Sequence, residues 1–255
     1  MKQLLIIFCI AFFCSSCKKN KNDNQNCDRV NQFFYDNRSA VAKTTVSYNN
    51  DGTAKEIVED NGNNKYRFDY RNGNQTVLIF ATPGVGPAAG VETRSDSIIL
   101  NSKKFITYRK HYFTDGYTVF INDYDQDGFL IKLDATNYDP NGVVRNRQTN
   151  IYTNTLLDGN LVKKIEQFNN GTFNTYEYEY KLTDAFVHPD YSYYNLISNA
   201  GNQSKNLLVK IKTNGTYTYN ITYLFDGNKR VTDIKHTSLN GSNNEPHYAI
   251  NYACQ

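Results

Sequence analysis

Residues 160–180 read NLVKKIEQFNNGTFNTYEYEY and contain the pattern that decides the fold. The last five of these residues, 176–180, alternate tyrosine with glutamate, which is typical of a strand with one packed face and one solvated face. Upstream, Asn170-Gly171 tolerates the positive φ angles of a tight hairpin turn. The stretch therefore predicts a β-hairpin.

This hairpin unit is repeated along the chain. Residues 206–219, NLLVKIKTNGTYTY, repeat it with a shorter turn region, and a weaker copy runs from Gly52 to the alternating aromatic residues at 66–70. Each Asn-Gly or Asp-Gly pair predicts a strand reversal. Of the fifteen glycines, the eleven that follow Asn or Asp are Gly52, Gly62, Gly73, Gly116, Gly128, Gly142, Gly159, Gly171, Gly215, Gly227 and Gly241.

The spacing of these turns predicts the fold class. Successive pairs are mostly separated by enough residues for one strand and its return, and the segments between them are too rich in aromatic and β-branched residues for helices. We predict an all-β fold, an antiparallel meander of repeated hairpins that forms a curled sheet or an open barrel. Because a wide sheet seldom stays flat, we expect roughly fourteen strands to curl within one domain at 27–255.

Two segments resemble a known repeat. Residues 124–130 (YDQDGFL) and 138–144 (YDPNGVV) resemble the Tyr-Asp, or YD, repeat of long β-structured bacterial shell proteins of the Rhs type, and residues 48–52 and 225–228 are looser copies. The chain is similar to YD-like envelope lipoproteins of Bacteroidota, a family of unknown function. The resemblance implies an all-β fold and no catalytic residue.

The first residues resemble a bacterial lipoprotein signal. Lys2 precedes an apolar stretch at 4–13 that is too short for a permanent membrane helix, and two serines stand before Cys17. The resemblance implies a signal peptide at 1–16, lipidation of Cys17 and localisation as an outer membrane lipoprotein. Residues 17–26 are polar and predict a disordered tether. Whether the domain faces the periplasm or the cell surface stays open.

Two cysteines remain for the folded domain. Of the five, two leave with the signal peptide and Cys17 takes the lipid, which leaves Cys27 and Cys254. In an oxidising envelope these two predict a disulfide that ties the ends of the domain together, and two buried free thiols are the alternative.

Charge and motifs exclude several functions. The chain carries 28 basic and 25 acidic residues, a net charge of +3, which creates no strong field for nucleic acid. We therefore expect no nucleic-acid partner and a membrane partner through the lipid anchor only. The four histidines lack the close pairs of a zinc helix, and no hydrolase motif is present.

One acidic segment matches the spacing of a calcium loop. Asp123, Asp125, Asp127 and Gly128, followed by Asp134, could converge carboxylate oxygens on a hard cation. The alternative is a hairpin turn, in which alternate side chains point to opposite faces and do not converge. The β pattern around the segment favours the turn. Calcium is the only cofactor that the sequence suggests.

The leading functional hypothesis is a non-catalytic envelope module, structural or binding, that contacts a glycan or an envelope protein. One alternative is an enzyme acting on polysaccharide, with clefts near the irregular stretches 81–96 and 183–204. The other is a calcium-dependent adhesin. The predicted contact surface is a concave, tyrosine-rich face formed by Tyr176, Tyr178, Tyr180, Tyr217, Tyr219 and Tyr223.

Overall fold

The computed structural model describes residues 29–36, 41–59, 64–84, 89–181, 204, 206–241 and 245–253. Among these residues, no helix is long and apolar enough to cross a membrane. The regular elements in the described part of the chain are sixteen strands: β1 Arg29–Asp36, β2 Val41–Tyr48, β3 Ala54–Glu59, β4 Asn64–Arg71, β5 Thr76–Thr82, β6 Thr93–Leu100, β7 Ile106–Phe113, β8 Gly116–Tyr124, β9 Leu130–Tyr138, β10 Val144–Leu157, β11 Asn160–Phe168, β12 Phe173–Lys181, β13 Leu207–Thr213, β14 Thr216–Phe225, β15 Val231–Ser238 and β16 His247–Ala253.

All of these strands belong to one antiparallel sheet. Each strand pairs with its neighbours in the chain, and β1 also pairs with β16, so that the sheet closes into a barrel. The predicted all-β antiparallel meander is confirmed. The stretch 81–96 is less irregular than expected, because its first two residues end β5 and its last four begin β6.

The two faces of the sheet have different chemistry. Residues paired across neighbouring strands share a face, and the pairing places two clusters of buried apolar residues on the same one, which we call the inner face. The first cluster contains Val46, Ala54, Ile57, Phe68, Val77, Ile79, Ile98, Leu100 and Ile106. The second contains Leu207, Ile221, Val231, Ile234 and Ile250.

The opposite side of the sheet, the outer face, carries ion pairs between neighbouring strands. Lys65 Nζ lies 2.5 Å from Glu56 on the adjacent strand, and Lys210 Nζ lies 3.3 Å from Glu179. Lys212–Glu177 is a further ion pair between strands, and Lys132–Asp134 is one within β9. His247 Nε2 lies 2.6 Å from the Asp233 carboxylate on the same face. The alternation predicted at 176–180 therefore places tyrosine inside and glutamate outside.

The predicted reversals occur, but most of them are not two-residue type I′ turns. Among the described residues, only Asn72-Gly73, Asp158-Gly159 and Asn214-Gly215 have positive φ at both positions. The first of these lies in a longer turn between Arg71 and Thr76, in which Asn74 is also left-handed. In the turn that starts at Asp125, Gly128 alone is left-handed, with φ of 83°. Its N–H donates to Asp125 O at 3.1 Å, and Asp125 N donates to Phe129 O at 3.0 Å. This longer turn fits the strand twist with a single left-handed residue.

A repeated side-chain hydrogen bond braces the hairpins from the inner face. A residue near the end of the second strand donates to a backbone carbonyl at the start of the first strand, which satisfies both groups where the hairpin opens. The donor is a tyrosine hydroxyl in four hairpins and an asparagine amide in a fifth. The bonds are Tyr124 to Ile106 at 2.8 Å, Tyr180 to Leu161 at 2.8 Å, Tyr223 to Leu208 at 2.7 Å, Tyr252 to Val231 at 2.8 Å and Asn154 to Leu130 at 2.9 Å.

We expect Tyr223→Phe to lower the free energy of unfolding by about 1 kcal/mol, because the Leu208 carbonyl loses its hydroxyl donor inside the barrel. Tyr217→Phe on the same strand is the matched control, because Tyr217 donates to Glu179 on the exposed outer face. Urea unfolding of both variants measures the difference. Equal losses in the two variants would contradict the proposed bracing role.

Gly116 is required for a close backbone approach. It is a strand residue with φ of 148°, and a Cβ atom built there would lie 2.1 Å from the carbonyl oxygen of Tyr138. The predicted reversal occurs here, between Phe113 and Gly116, but Gly116 itself is the first residue of β8 and not a turn residue.

We expect Gly116→Ala to cost roughly 2–4 kcal/mol, since β8 and β9 must separate to admit the methyl group. Gly73→Ala is the control: its φ is +63° and no atom lies within 4 Å of the added Cβ. Only the left-handed strain of about 1 kcal/mol should appear there. Chemical denaturation compares them, and a Gly116 variant no less stable than the Gly73 variant would refute the clash.

Candidate functional site

The structure does not assemble the predicted calcium ligands. Asp125 Oδ1 accepts the backbone N–H of Phe129 at 2.8 Å, which is its role in the turn. Asp123 pairs with Lys132 across the β8–β9 ladder, and Asp134 lies further along β9. Among the described residues, which include Asp127 and the other three aspartates, no group of three or more His, Cys, Asp or Glu side chains could hold a metal ion. The segment is a hairpin turn in which the carboxylates do not converge.

Asp134 instead stabilises the outer face of β9 and β10. Its carboxylate lies 2.6 Å from Lys132 Nζ, and it accepts a hydrogen bond of 2.5 Å from the Thr149 hydroxyl. Arg147 lies at 3.7 Å. These contacts, the bond from Lys132 first, lower the pKa of Asp134 below its ordinary value of 3.8.

We expect Asp134→Asn to lower stability near neutral pH by about 1–2 kcal/mol, because a charged acceptor is lost. A lowered carboxyl pKa stabilises the fold above the unfolded value of 3.8, and this contribution disappears as the pH falls through the folded value. The gap between variant and wild type should therefore narrow below that pH. Melting temperatures across pH measure it, with Asp158, which is exposed in the turn between β10 and β11, changed to Asn as control. A gap that does not change with pH would contradict this role.

The predicted tyrosine surface lies mostly inside the barrel. Tyr176 donates to Glu166 at 3.0 Å, and Tyr219 packs against the second apolar cluster. Burial raises the pKa of Tyr178. Tyr180 and Tyr223 brace hairpins as described above. These five tyrosines share the inner face, as the alternation predicted.

Tyr217 departs from this group and lies on the outer face. A register shift between Ile211 and Lys212 pairs Tyr219 with Ile211 but Tyr217 with Lys212. The extra residue between the two tyrosines reverses the alternation, as bulges do. The Tyr217 ring consequently stacks under Lys212 Nζ at 4.8 Å. The expectation that Tyr217 shares a face with Tyr219 and Tyr223 is wrong for this reason.

The inner face between the two apolar clusters carries a polar cluster around Glu166. Its carboxylate accepts one hydrogen bond from the Asn150 amide at 2.9 Å and another from the Tyr176 hydroxyl. Gln148 donates to Asn150 at 2.9 Å, and burial lowers the pKa of neighbouring Lys164, which lies 4.6 Å from the Tyr176 ring centroid. These contacts satisfy both oxygens of the single carboxylate at their centre, so the arrangement serves to hold polar groups inside the barrel.

A second inner-face group surrounds Asp96, which is only 2% exposed. Asp96 Oδ1 lies 2.6 Å from Arg109 Nε and 3.0 Å from His111 Nδ1. Arg109 and His111 are two residues apart on β7, and Asp96 is paired with His111 across the ladder. Sequence reasoning missed this group because only the strand register brings its members together.

A groove of about 410 Å³ opens at the rim of the barrel where β7, β8, β9 and β10 meet. Phe113 stands at one side with 52% of its surface exposed. Tyr117 and Tyr138 stack with their ring centroids 4.8 Å apart and their planes 17° apart. The bare Gly116 lies among them and lets the β9 backbone approach. The groove therefore presents aromatic surface to solvent.

Planar polar side chains complete the groove. Arg145 Nη1 lies 2.7 Å from Asp115 Oδ2, and Nη2 donates to the Asp115 carbonyl at 2.8 Å. On the inner side, Thr118 donates to Asn137, and Asn137 donates to Asn146. The charges of Asp115 and Arg145 compensate each other, so the groove combines apolar rings with hydrogen-bonding groups and little net charge.

The anchoring and disulfide predictions fall outside the described residues. This applies to the signal peptide at 1–16, the tether at 17–26, and to Cys17, Cys27 and Cys254. The described chain begins with Arg29 opposite Ala253. The lipidated cysteine and the Cys27–Cys254 disulfide stay predictions.

The barrel resembles solved structures of porin-like proteins. One from Bacteroides uniformis shares 14% sequence identity at a TM-score of 0.55, over 89% of this chain and 96% of that one. Another, from Bacteroides vulgatus, shares 12% identity at a TM-score of 0.57, over 88% and 98% of the two chains. No protein-family model matches the sequence. The search of curated proteins also found no match. At these identities the likeness shows a shared fold.

Proposed function

We propose that the protein is a lipid-anchored, non-catalytic binding module of the cell envelope whose barrel stands in water beside the membrane. The observation that carries this is the charged outer face. Ion pairs such as Lys65–Glu56 and Lys210–Glu179 lie where a membrane-spanning barrel presents apolar side chains to lipid. A single lysine at the bilayer midplane costs about 2–4 kcal/mol, and several strands here carry one.

The porin-like fold and the signal sequence support an envelope location. A barrel with a wet outer face needs another means of attachment, and a lipidated Cys17 would supply it, since acyl chains contribute about 0.8 kcal/mol per buried methylene. The binding role is supported by the rim groove, where exposed aromatic and polar side chains meet without a catalytic arrangement such as paired carboxylates. Glu177 and Glu179, two carboxylates that lie two residues apart on β12, pair with lysines on the outer face.

Replacing residues 1–16 with an ordinary secretion signal and changing Cys17→Ser tests the location. We expect the native protein in the membrane fraction and the altered protein in the soluble envelope fraction, folded without detergent. The control keeps the native signal and Cys17. An altered protein that stays in carbonate-washed membranes would show that the barrel itself inserts and would overturn the proposal.

A further inference from the structure

We propose that the rim groove binds an uncharged segment of an envelope oligosaccharide, with a pyranose ring on Phe113 and its hydroxyls toward Asp115, Asn146 and Arg145. This inference rests on the proposed function and names the ligand class of that binding module. It follows from three observations: the exposed ring, the polar side chains and the size of the groove.

The aromatic surface is the first observation. Phe113 is 52% exposed although it lies on a paired strand. Its backbone partner is Gly116, which offers no side chain to cover the ring. The edge-to-face contact with His111, at a centroid distance of 4.5 Å, fixes the ring from one side. A ring held in place and left open to water provides a flat apolar platform, which matches the C–H face of a pyranose at little entropic cost.

The polar surface is the second. Neighbouring sugar hydroxyls present a donor and an acceptor side by side, and planar side chains with paired groups satisfy them together. Arg145 has five N–H donors, and two of its hydrogen bonds go to Asp115. The Asn146 amide adds another planar group with N–H donors beside them, while its oxygen accepts from Asn137. Because the Asp115 and Arg145 charges cancel, the groove favours a neutral ligand over a phosphate or an acidic peptide.

The dimensions are the third observation. The groove volume of about 410 Å³ lies within the range of about 300–1,000 Å³ that small-molecule sites occupy. Stacked Tyr117 and Tyr138, with Lys110 Nζ 3.6 Å from the Tyr117 ring centroid, lie on the outer face and hold together the strands that carry the groove. A support held by stacking and by a cation needs little rearrangement on binding. The space therefore suits one or two sugar units of a longer chain that continues into solvent.

The test uses the secreted mature chain with Cys17→Ser and short cello-, manno-, xylo- and chito-oligosaccharides as probes in titration calorimetry. Phe113→Ala and Asn146→Ala are the groove variants. Phe173→Ala is the matched control, because Phe173 is 64% exposed on β12, away from the groove. We expect at least one probe to bind, each groove variant to weaken it about tenfold, and the control to bind as the wild type does.

The other outcomes overturn specific statements. A folded, soluble chain that binds none of the probes, or whose binding is unchanged by both groove variants, would refute the oligosaccharide groove and leave the envelope location standing. Self-association that depends on Phe113, measured by light scattering, would assign the groove to a second copy and also refute the inference. Chromatography of the probes after incubation detects cleavage, which would overturn the non-catalytic function itself.

Discussion

The antiparallel pairing of β1 with β16 is the constraint on which the whole structure depends. It joins the two ends of the described chain, from Arg29 opposite Ala253 to Asp36 opposite His247. Without it the meander would have two unpaired edges, each a row of open N–H and C=O groups. Closure also makes one face of every strand an interior, which is why alternate residues face such different surroundings.

That interior is not uniformly apolar. The clusters around Ile79 and Ile234 supply most of the burial, but between them the barrel contains Glu166, Asp96 and several tyrosines with satisfied polar groups. The carboxylates of Glu166 and Asp96 are tolerated this far from water because both find partners on neighbouring strands. On the outer face, by contrast, charged side chains form ion pairs that are exposed to solvent. Together the two faces support the proposal that the barrel stands in water, and this links the fold to the proposed location.

The sequence predicted what depends on neighbours along the chain. The reversals at Gly128 and Gly142 and the inward tyrosines at 176–180 follow from local turn chemistry and strict alternation. It failed where a bulge intervenes, as at Tyr217, and it missed the group around Asp96, which only the strand register brings together. The rim groove escaped prediction because residues from four strands form it, and no spacing within one segment indicates that they meet.

The hairpin braces have a consequence for how such a chain can change. Each brace, such as Tyr180 to the Leu161 carbonyl, begins and ends within a single pair of adjacent strands. A duplicated or deleted hairpin therefore brings or removes its own brace and leaves the braces of the remaining strand pairs intact. Strand number in this architecture can evolve in steps of two, and the circumference of the barrel becomes a heritable variable separate from the sequence of any one hairpin.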